Sequence, residues 1–472
     1  MNVAVIGKSQ INVSLTEQLT REGFMPVLLE DIDDITGFEG QKGQFVIKTN
    51  RQKIQAGYVI LTQQAEWITP RVNPQIDYSF YSLIDISEQG ISDDIDDFGK
   101  PVVIVLDFPV ESAGIMTRIA LEKGLKLALK KKKVLFLARF IRTAGNKLEK
   151  LYKEARNAGV TFIKYNKLSF DCHDNNGICT VHVTDDYGTM NIDTGALIMG
   201  DSIAPDAKID KIAKIMRLEQ DRTGFVGGDN PWLCPTSTNR KGVYAINNVC
   251  GMPLKDDVLS QIAYTISEIK KEMNEPANES YAEVDPGKCA FCYTCWRICP
   301  HAAMTPDFET EEPVMKNLNE ACFSCGICVS LCPAGAITIN KGGLADKLKE
   351  KDFLSNTLKI LCCENSAQIA LQKIKDVQES SFEKIDVSTI SCGGEIKAAE
   401  LISLLKQYQK VLVAVCVDDA CKHFDGNKRA YKQVIRACEL LKAAGLDPNR
   451  VQYIKVSHAM PRVMADTIKE IL

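Results

Sequence analysis

Short apolar runs alternate with amphipathic stretches of helical length along most of this chain. Residues 2–7, NVAVIG, read as a buried parallel strand, residues 13–22 as an amphipathic helix, and residues 24–30, FMPVLLE, as a second strand closed by Glu30. Continuous apolar runs of this length suit strands covered on both faces. Residues 44–49 and 57–62 form a hairpin-like pair, and residues 85–97, with six acids, read as a solvated connector. A second alternation follows: a strand from Pro101, a helix over 114–129, a strand over 134–140, a helix over 146–158 and a strand over 160–165. Strands and helices alternating at this spacing predict βαβ units and a parallel sheet. Residues 167–194 read as antiparallel hairpins, 196–206 and 242–251 as strand-and-turn segments, and 256–273 as a closing helix. Residues 274–287 are polar, with two prolines, and predict a linker, whereas 344–352 predict a connecting helix. From residue 358 a third strand–helix alternation runs to the end.

Composition narrows the function classes. The 472 residues predict two to four domains. A net charge of −4 without a basic stripe gives no support for nucleic-acid binding. No apolar run reaches membrane-span length and no signal-peptide pattern opens the chain, so we expect a soluble, cytoplasmic protein that touches a membrane only through a partner. Eighteen cysteines point to a reducing compartment and metal clusters.

Eight of them stand as two copies of Cys-x2-Cys-x2-Cys-x3-Cys-Pro: Cys289, Cys292, Cys295 and Cys299, then Cys322, Cys325, Cys328 and Cys332. This spacing describes two [4Fe–4S] clusters, each fourth cysteine serving the other run's cluster. Cluster one therefore takes Cys289, Cys292, Cys295 and Cys332, and cluster two takes Cys322, Cys325, Cys328 and Cys299. Structural zinc usually takes its four ligands as two pairs, and disulfides suit secreted chains, so neither fits as well. The run resembles bacterial two-cluster ferredoxins. Three further cysteine groups, Cys362 with Cys363, Cys392, and Cys416 with Cys421, fall at the carboxyl ends of predicted parallel strands, where open α/β sheets place ligands. Cys172, His173, Cys179 and His182 lie on predicted strands whose alternation scatters side chains to both faces, so packing is expected there. Packing is expected of Cys234, Cys250 and Cys438 as well.

The first strand, turn, helix and acid-tipped second strand frame a dinucleotide-binding unit. Its turn, Gly7-Lys8-Ser9-Gln10-Ile11-Asn12, keeps one glycine of three, and a β-carbon at Ser9 obstructs the approach of a pyrophosphate to the backbone. The loop from Asp107 to Gly114 likewise lacks the glycine pattern for a nicotinamide cofactor.

ARFIRTAGNKLEKLYKEARNAGVTFIKYN, ALIMGDSIAPDA and GVYAINNVCGMPLKDDVLSQIA resemble, in order, segments of the A subunit of heterodisulfide reductase. The resemblance implies a flavoprotein region with two dinucleotide-type domains and FAD contacts at Gly7, Ser9, Glu30, Gly200 and Gly251. The degenerate turn predicts that the flavoprotein shape persists while the FAD site is lost or much weakened. Residues 355–472, and VLVAVCVDDACKHFDGNKRA above all, resemble the delta subunit of methyl-viologen-reducing hydrogenase. That resemblance implies a [2Fe–2S] cluster held by four of Cys362, Cys363, Cys392, Cys416 and Cys421, since Ser366 stands where the family often has a cysteine. The order of modules also resembles the B subunit of quinone-interacting membrane-bound oxidoreductase.

These readings combine into an α/β chain of three parts. Residues 1–273 form a degenerate two-dinucleotide-binding-domain (Rossmann-like) flavoprotein fold, with units of about 1–100 plus 195–273 and 101–194. Residues 274–343 form a ferredoxin-like 2[4Fe–4S] module, and 355–472 a small C-terminal α/β iron–sulfur domain. The expected role is electron relay between partner subunits of a heterodisulfide-reductase-like or quinone-interacting complex, with no acid–base or nucleophilic residue in charge. The alternative is an FAD-containing flavoenzyme that splits electron pairs.

Overall fold

A computed structural model describes residues 1–70, 81–88, 98–144, 147–173, 178–227, 236–246, 249, 255–309, 311–348, 358–375 and 385–472. The first unit is a parallel sheet in the order Val243–Ala245, Tyr58–Leu61, Asn2–Ile6, Met25–Leu29. Val3 to Ile6 are wholly buried because both faces are covered. Helices Asn12–Arg21 and Lys255–Asn274 cover one face, bringing Leu15, Val258 and Ile262 onto Val3 and Val5. Helix Ala207–Met216 and a three-stranded antiparallel sheet cover the other through Ile209, Ile212, Phe45 and Ile47.

The second unit repeats the plan. Its parallel sheet runs Thr161–Lys164, Val134–Ala138, Val102–Val105, Ala196–Met199, Tyr81–Ser82, with helices Gly114–Leu129 and Leu148–Asn157 packed on it. A meander of Lys167–His173, Ile178–Thr184 and Thr189–Thr194 lies on the opposite face. Two parallel-sheet units, each carrying a three-stranded antiparallel sheet, bear out the two-dinucleotide-domain architecture.

Several expectations shift. Gln44–Thr49 pairs with Lys53–Ala56, and Tyr58–Leu61 leaves the hairpin to join the parallel sheet beside Asn2–Ile6. Three residues between Thr49 and Lys53 close the hairpin, so the next apolar run is free to enter the core. Residues 195–273 were expected with the first unit, but Ala196–Met199 pairs with Val102–Val105 in the second. The chain therefore crosses back only after residue 199. Cys172 and Cys179 do not scatter: they are directly opposed in antiparallel register and form a disulfide. His182 bonds Asn191 at 2.8 Å on the exposed face, apart from that pair.

Residues 274–287 are not all linker, since Ala282–Val284 pairs antiparallel with Ile337–Ile339 and closes the ferredoxin module. Met304–Asp307 pairs with Val314–Asn317, and two short helices, Thr294–Ile298 and Ile327–Leu331, face each other across the module. The connecting helix expected over 344–352 is described over Leu344–Lys347; its remainder lies mostly outside the described residues. The last domain is a parallel sheet in the order Ile385–Ile390, Leu358–Cys363, Lys410–Val415, Val451–Lys455, with helices on both faces. Among the described residues, no helix is long and apolar enough to cross a membrane.

Candidate iron–sulfur centres

Each cysteine run begins as an open turn that only left-handed backbone can close. Phe291 and Tyr293 have φ of 45° and 59°, and Ser324 and Gly326 have 53° and 69°. Such curling turns successive thiols and N–H groups inward instead of letting them alternate outward. Ser324 N–H donates to Cys322 Sγ at 3.4 Å, while Ala303 and Ala336 N–H groups donate to Cys299 and Cys332 Sγ at 3.3 Å each. Hydrogen bonds of this kind favour the thiolate form that iron requires.

Two cavities result. One is lined by Cys322, Cys325 and Cys328 together with Cys299 from the other run. The second is lined by Cys289, Cys292 and Cys295 together with Cys332. Each fourth cysteine reaches across because the helix that carries it ends beside the opposite turn. The linings are otherwise mostly apolar, with Ala303, Met304 and Ile327 at one, beside His301 and Asn317, and Ala290, Met315 and Ile337 at the other, beside Thr294. Four thiols around one cavity are the donor set that a [4Fe–4S] cube needs. Burial pushes the Cys325 and Cys328 thiols well up and Cys295 to about 11, a penalty that a coordinating metal reverses by displacing the proton.

The two cavities differ in exposure. Cys325 and Cys328 are buried, whereas Cys292 is exposed, its thiol held below the ordinary range by the Thr294 hydroxyl 3.3 Å away. Phe291, Tyr293, Trp296 and Phe308 form a chain of ring contacts around it, with Phe308 67 % exposed. The inner cavity, around Cys325, is braced by the N-terminal half. Asn239 Nδ2 donates to the Pro300 carbonyl at 2.6 Å, Arg217 to the Cys299 carbonyl at 3.4 Å, and Lys241 Nζ to the Cys322 carbonyl at 2.8 Å.

Of the five C-terminal cysteines, the fold brings together four. Cys362 and Cys363 are adjacent on a strand and so face opposite sides. Cys362 packs with Ile360, Ala367 and Met464 in the core. Cys363 Sγ lies 3.5 Å from Cys416 Sγ, and Cys421 bonds both Cys416 and Cys392. Gly426 permits this, since a β-carbon there would sit 2.2 Å from Cys392 Sγ. Sulfurs so close cannot all be charged, and they share protons. Hydrogen bonding to Cys416 lowers the Cys363 pKa and raises that of Cys416, while bonding to Cys392 lowers Cys421 and raises Cys392. Ser366 donates to Cys416 Sγ at 3.3 Å, so the departure from the hydrogenase pattern supplies a hydrogen bond instead of a ligand. Cys438 packs as expected, its thiol on the Pro448 and Val451 carbonyls; Cys234 and Cys250 lie outside the described residues.

The C-terminal set sits against the inner cavity. Cys392, Cys325 and Ile327 share one apolar cluster, and Ser330 Oγ donates to the Gly394 carbonyl at 2.5 Å. Glycines allow the approach: a β-carbon on Gly326 would fall 2.4 Å from Glu395, and one on Gly394 2.5 Å from Ile327. Beside this contact lie two residues that were not singled out from sequence. His301 and His423 are each 2 % exposed, with His301 Nε2 2.8 Å from His423 Nδ1 and His301 Nδ1 2.7 Å from the Asn239 carbonyl. Burial pushes both imidazoles down, His423 to about 4, so both are neutral. One signal was available: each stands two residues after a candidate ligand, Cys299 or Cys421.

The flavin positions fare differently. Gly7 keeps a φ of 113°, and a β-carbon there would meet Gln63 N at 2.5 Å. The Lys8 N–H, which a pyrophosphate would seek, is already taken by Gln63 Oε1 at 3.0 Å, and Gln63 is held in turn by Asp206 at 2.7 Å. Asn12 fills the turn by donating to the Gly7 carbonyl at 2.8 Å. Ser9 carries its side chain where close approach requires glycine, and Glu30 is exposed at the end of its strand. Gly200 is a packing glycine, its missing β-carbon 2.5 Å from Leu106 and 2.8 Å from Ser112. Gly251 lies outside the described residues. In this arrangement Gln63 and Asn12 occupy polar groups of the turn that an FAD pyrophosphate would otherwise meet.

Known proteins match where the thiols gather. Residues 288–337 match the 4Fe-4S dicluster domain, and residues 358–472 match the delta subunit of methyl-viologen-reducing hydrogenase. Iron–sulfur chemistry belongs to this chain. It is similar to the A subunit of the Ferredoxin/F(420)H(2)-dependent CoB-CoM heterodisulfide reductase of Methanosarcina acetivorans, 24 % identical over 70 % of the chain and 42 % of the relative. It is also similar to the iron-sulfur A subunit of the CoB–CoM heterodisulfide reductase of Methanocaldococcus jannaschii, 29 % identical over 35 % of the chain and 26 % of the relative. The chain thus spans less than half the length of these curated relatives. Among solved structures, the thioredoxin reductase of T. acidophilum superposes with a TM-score of 0.37 at 13 % identity, covering 57 % of this chain and 95 % of that one.

Proposed function

We propose that the chain is an iron–sulfur electron-transfer subunit of a heterodisulfide-reductase-like complex, holding three clusters in line. Cys363, Cys392, Cys416 and Cys421 would hold a [2Fe–2S] cluster; Cys299, Cys322, Cys325 and Cys328 the adjacent, inner cube; and Cys289, Cys292, Cys295 and Cys332 the outer cube. The observation that carries this reading is the apolar cluster shared by Cys392, Cys325 and Ile327, which brings the C-terminal thiols beside the inner cavity. Each cluster takes and returns one electron, so the chain passes charge between partners without making or breaking substrate bonds. Its own residues exclude water, hold thiolates and fix distances. Partner subunits would dock at the C-terminal domain and at the aromatic rim around Cys292, and supply the two-electron chemistry. The N-terminal half acts as a brace, its Asn239, Arg217 and Lys241 bonded to the inner cube's loops.

Anaerobic purification followed by iron, sulfide and flavin assay tests the reading. About ten iron and ten sulfide per chain are expected, from two cubes and one [2Fe–2S] centre, with flavin well below one per chain. Iron near eight would remove the C-terminal cluster, and stoichiometric FAD would favour the flavoenzyme that splits electron pairs.

A further inference from the structure

The His301–His423 pair has a direction. The Asn239 carbonyl can only accept, so His301 Nδ1 carries its hydrogen, and a neutral imidazole then presents Nε2 as a lone pair. His423 Nδ1 must therefore donate to His301 Nε2. One hydrogen-bonded line thus crosses three parts of the chain, from the N-terminal half through the ferredoxin module into the C-terminal domain. Phe323 stacks on His301 with ring centroids 4.1 Å apart and is edge-on to His423, which fixes both rings. The pair and Cys325 Sγ place their donor atoms within 4.8 Å of one another. The described contact between the two modules also includes apolar packing around two glycines, a bond from the Ser330 hydroxyl to the Gly394 carbonyl and Lys422 over the Phe323 ring, while the Leu344 N–H that follows the ferredoxin module donates to Glu395 Oε1 at 2.6 Å. Apolar surfaces slide easily, whereas a buried, directional bond has one register, because displacement leaves two nitrogens unpaired away from water.

We propose that the His301–His423 hydrogen bond is the latch that registers the C-terminal thiol set against the inner cube, so that both histidines are positioning residues for electron transfer between those two clusters. The proposal rests on the three-cluster reading above and adds the residues that set the step between its C-terminal and inner clusters. Electron exchange between two buried centres depends steeply on their separation and on the contacts between them. A latch beside Cys325 governs both without ligating either cluster.

The test uses the full chain, reduced anaerobically until both centres are paramagnetic. Magnetic coupling between them is read by electron paramagnetic resonance, and equilibration is followed after flash reduction. His423→Phe, which keeps a ring but no donor, should weaken the coupling and slow equilibration roughly tenfold, the scale of one lost buried hydrogen bond, while iron and sulfide stay at the unaltered level. His423→Asn, whose amide donor falls close to Nδ1, should restore both. Where the phenylalanine variant fails to load iron, His423→Ala removes the bond without bulk and takes its place. Full iron with unchanged coupling in the Phe or Ala variant overturns the latch, as does an Asn variant that loads iron but behaves like them. An unaltered chain that carries iron for the two cubes only overturns the three-cluster reading instead, before any variant is needed.

Discussion

Lys241 stands where the N-terminal half meets the inner cube, its ammonium bonded to the Cys322 carbonyl and 4.7 Å from the centroid of the Phe323 ring. Burial lowers its pKa, yet a lysine starting so far above neutrality keeps its proton. The nearest counterpart at the outer cube, Arg297, bonds the Cys292 carbonyl at 2.8 Å but is exposed, so water and salt screen it. A fixed cation favours the more negative, reduced form of a cluster. Lys241→Met should therefore lower the midpoint potential of the inner cube, leaving the outer cube nearly unmoved. At a separation of roughly 8–10 Å and an effective dielectric of about 20 the charge is worth about 2 kcal/mol, on the order of 70–90 mV for one electron. A potentiometric titration followed by electron paramagnetic resonance checks it, and equal shifts in both cubes would contradict the assignment. None of this was legible in the sequence, where Lys241 is one of 57 basic residues. Its meaning comes from a contact across 81 positions, and the same holds for His301 and His423, which meet across 122.

The strand Leu358–Cys363 decides which C-terminal cysteines can work together. Adjacent positions on a strand point to opposite faces, so Cys362 and Cys363 cannot both reach one cluster. Cys362→Ala should keep the C-terminal cluster and cost only packing, about 1–2 kcal/mol for a small buried side chain. Cys363→Ala should lose roughly two iron per chain. Iron assay of the two variants separates them, and loss of iron in Cys362→Ala would reverse the assignment. Alternation was already available from the sequence, but applying it required the strand to run through both cysteines instead of ending before them. The crossed fourth cysteine was legible earlier because the Cys-x2-Cys-x2-Cys-x3-Cys run is itself a local geometry. Here Cys299→Ala should disturb the inner cube, whose cavity it lines, more than the outer one. Resonances that change only in the outer cube would refute it. The two runs also differ informatively at matched positions, Tyr293 and Gly326. Both adopt left-handed backbone, so the turn alone does not demand glycine; Glu395 does, by occupying the space that a side chain would fill.

Across the whole molecule, the order of modules was readable because each carries a dense local pattern: apolar runs at strand length, eight spaced cysteines, three cysteine groups at strand ends. How they assemble was not. The assignment of Ala196–Met199 to the second sheet turns on which of two neighbouring parallel edges a four-residue apolar run chooses, and both would bury it. The flavoprotein-like half illustrates the same limit, since the missing glycines were visible but the side chain that takes the Lys8 N–H, Gln63, lies 55 residues away from it. In the proposed relay the inner cube's Cys325 and Cys328 are buried, whereas the outer cube is bare at Cys292. That bareness makes corrosion directional. Dioxygen meets the outer cube first, so brief exposure to air should strip about four iron in a fast phase, with the signals of the inner cube persisting into a slower one. Loss of all clusters in a single phase would show the seal to be ineffective. A chain damaged in this way would still hold electrons but could no longer deliver them through its open end: the terminal that makes it useful to a partner is also the first to fail.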